Sequence, residues 1–196
     1  FRVVGVDRSE TMLKQARQSP VPEQVTFICS DIVQLESSVT GRYGAVISLG
    51  NTLAGITREE EIRSLFHQVA VKLLPGGIFL FQILNYEKIR TQDVRNLPLN
   101  FIQEDSGGET IFLRLMKYHD DGMVDFCPTI LAYDPGRNPP LTIVQSRLIR
   151  LRGWTRPQLQ PMLEDIEFKV TCYGSIKPSP YRAADSPNLV IVAERH

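Results

Sequence analysis

Cysteine is scarce. Three thiols, Cys29, Cys127 and Cys172, stand far apart in 196 residues, with no CxxC pair. That spacing offers neither a disulfide framework nor a thiolate zinc site, and the reducing cytoplasm is the compartment expected for such a chain. Histidine is equally thin: His67, His119 and His196 lack the i, i+4 spacing that puts two imidazoles on one helical face, so no metal is expected. A charge excess is missing as well, because 22 basic residues balance 22 acidic ones. A surface that neutralises nucleic-acid phosphates normally carries a basic excess or stripe, so no nucleic-acid partner is expected. No apolar run reaches the ~18 residues that a membrane helix needs, and no membrane partner is expected either.

What is present is an ordinary globular composition. Hydrophobic residues make up 42% of the chain, enough to offset ordering entropy and to exclude a disordered protein. The length suits one domain, with room for a subdomain. The order of elements is the informative part. Residues 2–6 form a short β-branched run of the kind buried on both faces of a parallel sheet. Ser9 caps a helix over 11–18, which Pro20 and Pro22 stop. Strands over 25–29 and 43–49 follow. A helix over 58–74 shows one apolar face, Ile62, Leu65, Phe66, Val69 and Leu73. Pro75-Gly76-Gly77 ends it, and 78–84 is a fourth strand. Alternating strands and helices with short loops predict a parallel α/β sheet with right-handed crossovers.

Beyond residue 109 the pattern changes. Residues 110–118, 123–133 and 141–151 read as three consecutive strands, the first two joined by a His119-Asp120-Asp121-Gly122 hairpin turn. Three strands with no helix between them predict an inserted antiparallel flap. A helix over 156–164 and a final antiparallel pair, 168–173 and 188–194, close the chain.

In an open α/β sheet, ligands bind beyond the carboxyl ends of the strands. Polar residues stand at four such ends: Asp7, Asp31, Asn51 and Asn85. Singly, each is an ordinary cap or turn residue. Together they suggest a site, because an ionised carboxylate has only acceptor valences and suits ribose hydroxyls or a base amino group.

The segments VVGVDRSETMLKQAR, VTFICSDIVQL, YGAVISLGNTLAGI and LLPGGIFLFQILN, in this order, resemble the class I S-adenosylmethionine-dependent methyltransferases. Among these the chain is most similar to small-molecule members of the glycine/sarcosine N-methyltransferase type. The resemblance implies a Rossmann-like methyltransferase sheet, mostly parallel with a C-terminal antiparallel hairpin, plus the inserted β flap. The core is then 1–109 and 152–196, and the flap 110–151 lies over the acceptor site. It implies S-adenosylmethionine as cofactor, with S-adenosylhomocysteine as product. Asp7 would hold the ribose, Arg8 and Met12 would flank the adenine, and Asp31 would accept from its amino group with Ile32 against the ring. Leu49, Gly50 and Asn51 would line the methionine portion. The family's first strand and Gly-rich loop are not among these residues. We therefore expect about 40 or more residues ahead of residue 1, the size of one strand–helix unit with a lead-in.

Methyl transfer from a sulfonium needs alignment more than acid–base machinery, so no catalytic residue is assigned. Asn85, Tyr86 and Arg114 are the expected acceptor contacts, with Arg114 on one flap face beside Phe112 and Met116 and suited to clamp an anionic group. The expected partner is a small-molecule acceptor methylated at nitrogen or oxygen, and a homo-oligomer is compatible with the chain. Two other readings use the same residues: a nicotinamide-dependent oxidoreductase, and a non-catalytic binding module on a degenerate methyltransferase fold. The final antiparallel hairpin, Asp31 and Asn51 disfavour the first of these.

Overall fold

The computed structural model describes residues 1–20, 22–104 and 107–196. Among these residues there are three sheets. β1 (Val3–Asp7) and β2 (Val25–Cys29) form a parallel pair, with α1 (Glu10–Gln18) between them in sequence. β3 (Tyr43–Ser48), β4 (Leu73–Leu84), β10 (Phe168–Tyr173) and β11 (Asn188–Arg195) form the second sheet, in the order β10-β11-β4-β3. β3 and β4 run parallel, whereas β11 pairs antiparallel with both β4 and β10. The expected C-terminal hairpin is therefore present. The expected single, mostly parallel sheet is instead two pieces among the described residues, because β1 and β3 face one another without pairing.

Local chemistry explains the boundaries. The Ser9 hydroxyl accepts from the Met12 amide at 3.3 Å and starts α1, satisfying one of the donors that a helix leaves open at its first turn. Acidic Glu59, Glu60 and Glu61 occupy the first turn of α3 (Glu59–Lys72) and Lys72 the last, as the helix dipole favours. α3 buries Ile62, Leu65, Phe66 and Val69. Phe66 meets Phe79 and Phe81 of β4, with ring centroids 5.9 Å apart in each case. Pro75-Gly76-Gly77 does not separate helix from strand as expected. It lies inside β4, where the β3 register jumps from Tyr43↔Leu73 to Ala45↔Ile78. The tripeptide is a bulge, and Gly76 takes the left-handed φ of +72° that it requires.

α4 (Tyr86–Thr91), β5 (Asn100–Gln103), β6 (Glu109–Tyr118), β7 (Met123–Tyr133), β8 (Leu141–Ser146) and β9 (Ile149–Arg152) follow β4, and α5 (Arg156–Glu164) returns the chain to β10. α2 (Leu35–Ser38) is a single turn after β2. The flap has the order β5-β6-β7-β8, with β9 on β7 beyond β8. Its third expected strand is broken into β8 and β9, and β5 was not expected. Met116, Val124 and Leu151 from one flap face join the main core together with Tyr86, Ile89 and Trp154. The Trp154 indole N–H donates to the Ile56 carbonyl at 2.8 Å, which ties the flap's exit to the loop after β3. Among the described residues no helix is long and apolar enough to cross a membrane.

Candidate functional site

The site lies at the carboxyl ends of β1 to β4. Asp7 ends β1, and its Oδ1 accepts from the Ser9 amide at 2.7 Å. Asp31 follows β2, and its Oδ1 accepts from the Val33 amide at 3.1 Å, capping a short 3-10 turn, Ile32–Gln34. Because Asp7 pairs with Cys29 in a parallel ladder, both carboxyl groups emerge at one sheet edge. In each, a single oxygen holds the local turn. The second oxygen makes no protein hydrogen bond among the described residues. Capping and ligand binding thus use different atoms of the same side chains.

The loop after β3 is held from beneath. Gly50 (φ +74°) and Asn51 (φ 68°) both adopt the left-handed conformation, which is unusual for an asparagine and costs about 1 kcal/mol or more unless its surroundings enforce it. Here they do. The Gly50 amide donates to Gln82 Oε1 at 2.9 Å, and the Asn51 amide to the Gln82 carbonyl at 3.2 Å. Asn51 Oδ1 accepts from the Leu84 amide at 3.0 Å, and Asn51 Nδ2 donates to the Tyr86 hydroxyl at 2.8 Å. Gln82 is itself fixed by donating to Asn188 Oδ1 at 2.9 Å. Burial pushes the Tyr86 phenol up to about 12, so it stays neutral.

Two expected acceptor contacts do other work. Asn85 is 1% exposed. Its Nδ2 donates to the carbonyls of Ala183 and Ser186, each at 2.9 Å, and its Oδ1 accepts from the Lys88 amide at 3.2 Å. The Tyr181 hydroxyl lies 2.8 Å from that Oδ1 and 2.7 Å from Glu87 Oε2. Burial and the Glu87 carboxylate hold the Tyr181 phenol far above the usual tyrosine range. With all its valences used, Asn85 anchors the loop between β10 and β11 and does not reach an acceptor. Tyr86 is equally buried and supports Asn51 from below, so it forms no wall.

Arg114 keeps its expected place on the inward face of β6, two residues from buried Met116. Its Nη2 donates to the Pro98 carbonyl at 2.6 Å, while its Nε is buried with no protein partner. Gln82 and Glu87 were not singled out from the sequence. The signal for Gln82 was a lone amide in the apolar run FLFQIL; Glu87 gave none.

A cavity of about 260 Å³ is lined by Asp7, Ile32, Leu49 and Thr52, and runs on between Val6 of β1 and Val46 of β3. It brings together three of the expected residues: Asp7, Ile32 and Leu49. Asp31, Gly50 and Asn51 stand at the same edge outside its lining. Arg8 and Met12 are exposed at the start of α1.

Residues 1–77 match the family model described as a methyltransferase domain. That match covers the N-terminal part of the chain, and over nearly its whole length the chain is similar in fold to solved S-adenosylmethionine-dependent methyltransferases. No curated protein matches it. Among solved structures, the CcbJ methyltransferase from Streptomyces caelestis is 22% identical with a TM-score of 0.75, over 99% of this chain and 74% of that one. CalS10, an amino pentose methyltransferase from Micromonospora echinaspora solved with its S-adenosylmethionine, is 15% identical with a TM-score of 0.74, over 100% and 74%. DesVI from Streptomyces venezuelae gives 15% and 0.74, over 98% and 74%. At these identities the likeness to the methyltransferase structures is one of fold.

The donor set fits S-adenosylmethionine. The cofactor's adenosine end offers ribose hydroxyls and an amino group, and the two carboxylates offer uncommitted acceptor oxygens at one edge. A Cβ placed on Gly50 would meet nothing within 4 Å, so the space over the loop is open.

Proposed function

We propose that the protein methylates a nitrogen or oxygen of a small-molecule acceptor that carries an anionic group. The observation that carries this reading is the pair of strand-end carboxylates at one sheet edge, each with one uncommitted oxygen, with Asp7 lining the cavity. Asp7 holds the ribose hydroxyls and Asp31 the adenine amino group. Ile32 covers the ring, and Arg8 and Met12 flank it. Leu49, Gly50 and Asn51 bound the methionine end. When bound, the cofactor supplies a methyl group on a sulfonium, a leaving group that needs no protonation.

What remains for the chain is alignment and exclusion of water. Gln82 and Tyr86 hold Gly50 and Asn51 in one conformation before any ligand arrives, which removes a reorganisation cost. The flap, 110–151, seals over the carboxyl edge through Met116, Val124 and Leu151. Arg114 presents its partnerless Nε to a carboxylate or phosphate of the acceptor. The amino pentose named for CalS10 supports a small-molecule acceptor.

The division into core (1–109 and 152–196) and flap belongs to the same proposal. The test is a panel of small amines, amino sugars, hydroxy acids and phosphorylated sugars, followed by release of S-adenosylhomocysteine. Turnover confined to anionic amines or alcohols is expected. Turnover of neutral acceptors alone would overturn the acceptor assignment.

A further inference from the structure

The inward face of the flap is covered along only part of its length. At the end nearer the core, Met116, Val124 and Leu151 are buried, and Leu97 and Phe126 pack against the core beside them. Farther along β6, Phe112 lies opposite Ile130 of β7 on one side and Asn100 of β5 on the other. Residues paired across a ladder share a face, and Phe112, Arg114 and Met116 alternate onto the same one. Phe112 and its partners therefore continue the inward face. Among the described residues, none of them belongs to the core or packs against it. Leu99 is 44% and Ile102 54% exposed. An open groove of about 610 Å³ runs along Leu99, Asn100, Ile102 and Phe112, within the size range of small-molecule sites.

Arg114 stands where the covered part of this face meets the bare part. Its Nη2 donates to the Pro98 carbonyl at 2.6 Å, one residue before Leu99, which holds the guanidinium at the near end of the groove. Two residues of strand, about 7 Å, separate it from Phe112. At the far end, Glu104 accepts from the hydroxyl of Thr110 at 2.7 Å, and Thr110 pairs with Ile102. The groove thus runs from a cation, past apolar side chains, to an acid. A single anion suits the first end and an uncharged arm the middle, while a second anion is repelled at the last.

We infer that the acceptor carries, next to its anionic group, an apolar arm of about the size of a phenyl ring or a branched alkyl chain, and that this arm lies in the groove against Phe112. The inference rests on the anionic acceptor proposed above and narrows it. The core end of the flap is the one joined to the loop after β3, through Trp154 and Ile56. With the anion on Arg114, the arm therefore leaves in the direction away from the methionine end of the cofactor. The buried Arg114 Nε also favours a small ligand over a protein surface, because its anion must enter along the groove.

Ligand-observed NMR titration of the full-length protein, saturated with S-adenosylhomocysteine, tests this with propionate, 3-phenylpropionate and the neutral 3-phenylpropanol. 3-Phenylpropionate should bind at least about tenfold tighter than propionate, the effect of burying one ring. Phe112→Ala should remove most of that advantage and leave propionate binding as it was, and Phe112→Leu should keep part of it. Arg114→Ala should bring 3-phenylpropionate down to the level of 3-phenylpropanol. Far-UV circular dichroism, expected unchanged for side chains outside the core, reports that each variant is folded. Equal binding of the two anions, or an aryl advantage that survives Phe112→Ala, would overturn the inference and leave the anionic acceptor standing. Binding that is indifferent to both the anion and Arg114→Ala would overturn the anionic acceptor, and the inference with it. An oligomer that Phe112→Ala dissociates, seen by sedimentation, would show a second copy in the groove and overturn the inference too.

Discussion

The Tyr86 hydroxyl sits 2.8 Å below the side-chain amide of Asn51, joining the residue after β4 to the residue after β3 across the carboxyl edge of the sheet. Asn51 holds a left-handed φ of 68° there. Tyr86→Phe removes the acceptor and leaves the Asn51 amide unpaired. The expected cost is about 1 kcal/mol of stability in urea unfolding, with a larger proportional fall in turnover than in cofactor affinity. Equal losses in both would mean that Tyr86 is only a core residue.

Tyr86 also sets a pH dependence. Its phenol is raised from 10.0 to about 12 by burial. Below pH 10 the phenol is protonated in both folded and unfolded chains, and its stabilising contribution is intact. As pH rises from 10 towards 12 the unfolded chain releases the proton first, so stability falls, by roughly 2–3 kcal/mol in all. Unfolding free energies at pH 9 and near pH 12 should therefore converge in Tyr86→Phe relative to the unaltered protein. A parallel decline in both proteins would assign the alkaline loss to other groups.

Phe66 carries the packing of α3 on β4, in contact with both Phe79 and Phe81. Phe66→Ala should cost about 3–5 kcal/mol, through lost contacts and the cavity left behind. Phe66→Leu should cost markedly less. Thermal or urea unfolding gives both values, and similar losses for the two would show that aromatic packing is not what holds the helix.

Arg114→Ala should raise the acceptor KM or lower kcat/KM by tenfold or more, since a charge-assisted contact is worth about 1.5–3 kcal/mol. Cofactor affinity should be nearly unchanged. Turnover of an anionic acceptor that is indifferent to this change would remove Arg114 from the site.

The parts of this molecule legible in the sequence are those fixed by local pattern. The strand over 25–29 and the helix over 156–164 lie where periodicity and capping put them. The four residues of β5 carry too little pattern to mark a strand, and their pairing is decided by β6, further along the chain. The same holds for the bulge at Pro75-Gly76-Gly77, where turn chemistry reads alike at a helix end and inside a strand. At the site, the strand-end positions of Asp7 and Asp31 were legible because Asp7 ends β1 and Asp31 stands two residues past β2. The role of Asn85 was not, because its partners are carbonyls 98 and 101 residues away in sequence. Tyr86 was misplaced for a related reason: its neighbour in sequence faces a loop, while its own ring is in the core.

The most direct test of the central claim is calorimetric titration of the full-length protein with S-adenosylhomocysteine, repeated with Asp7→Ala and Asp31→Ala, and with NAD as the competing ligand. Saturable binding of S-adenosylhomocysteine at one site is expected, with no binding of NAD. Each substitution should weaken it about ten- to a hundredfold, the loss of a charge-assisted hydrogen bond. The melting temperature of the unliganded protein should barely change with Asp7→Ala. Binding of NAD in place of S-adenosylhomocysteine, or an affinity that neither substitution alters, would contradict the account.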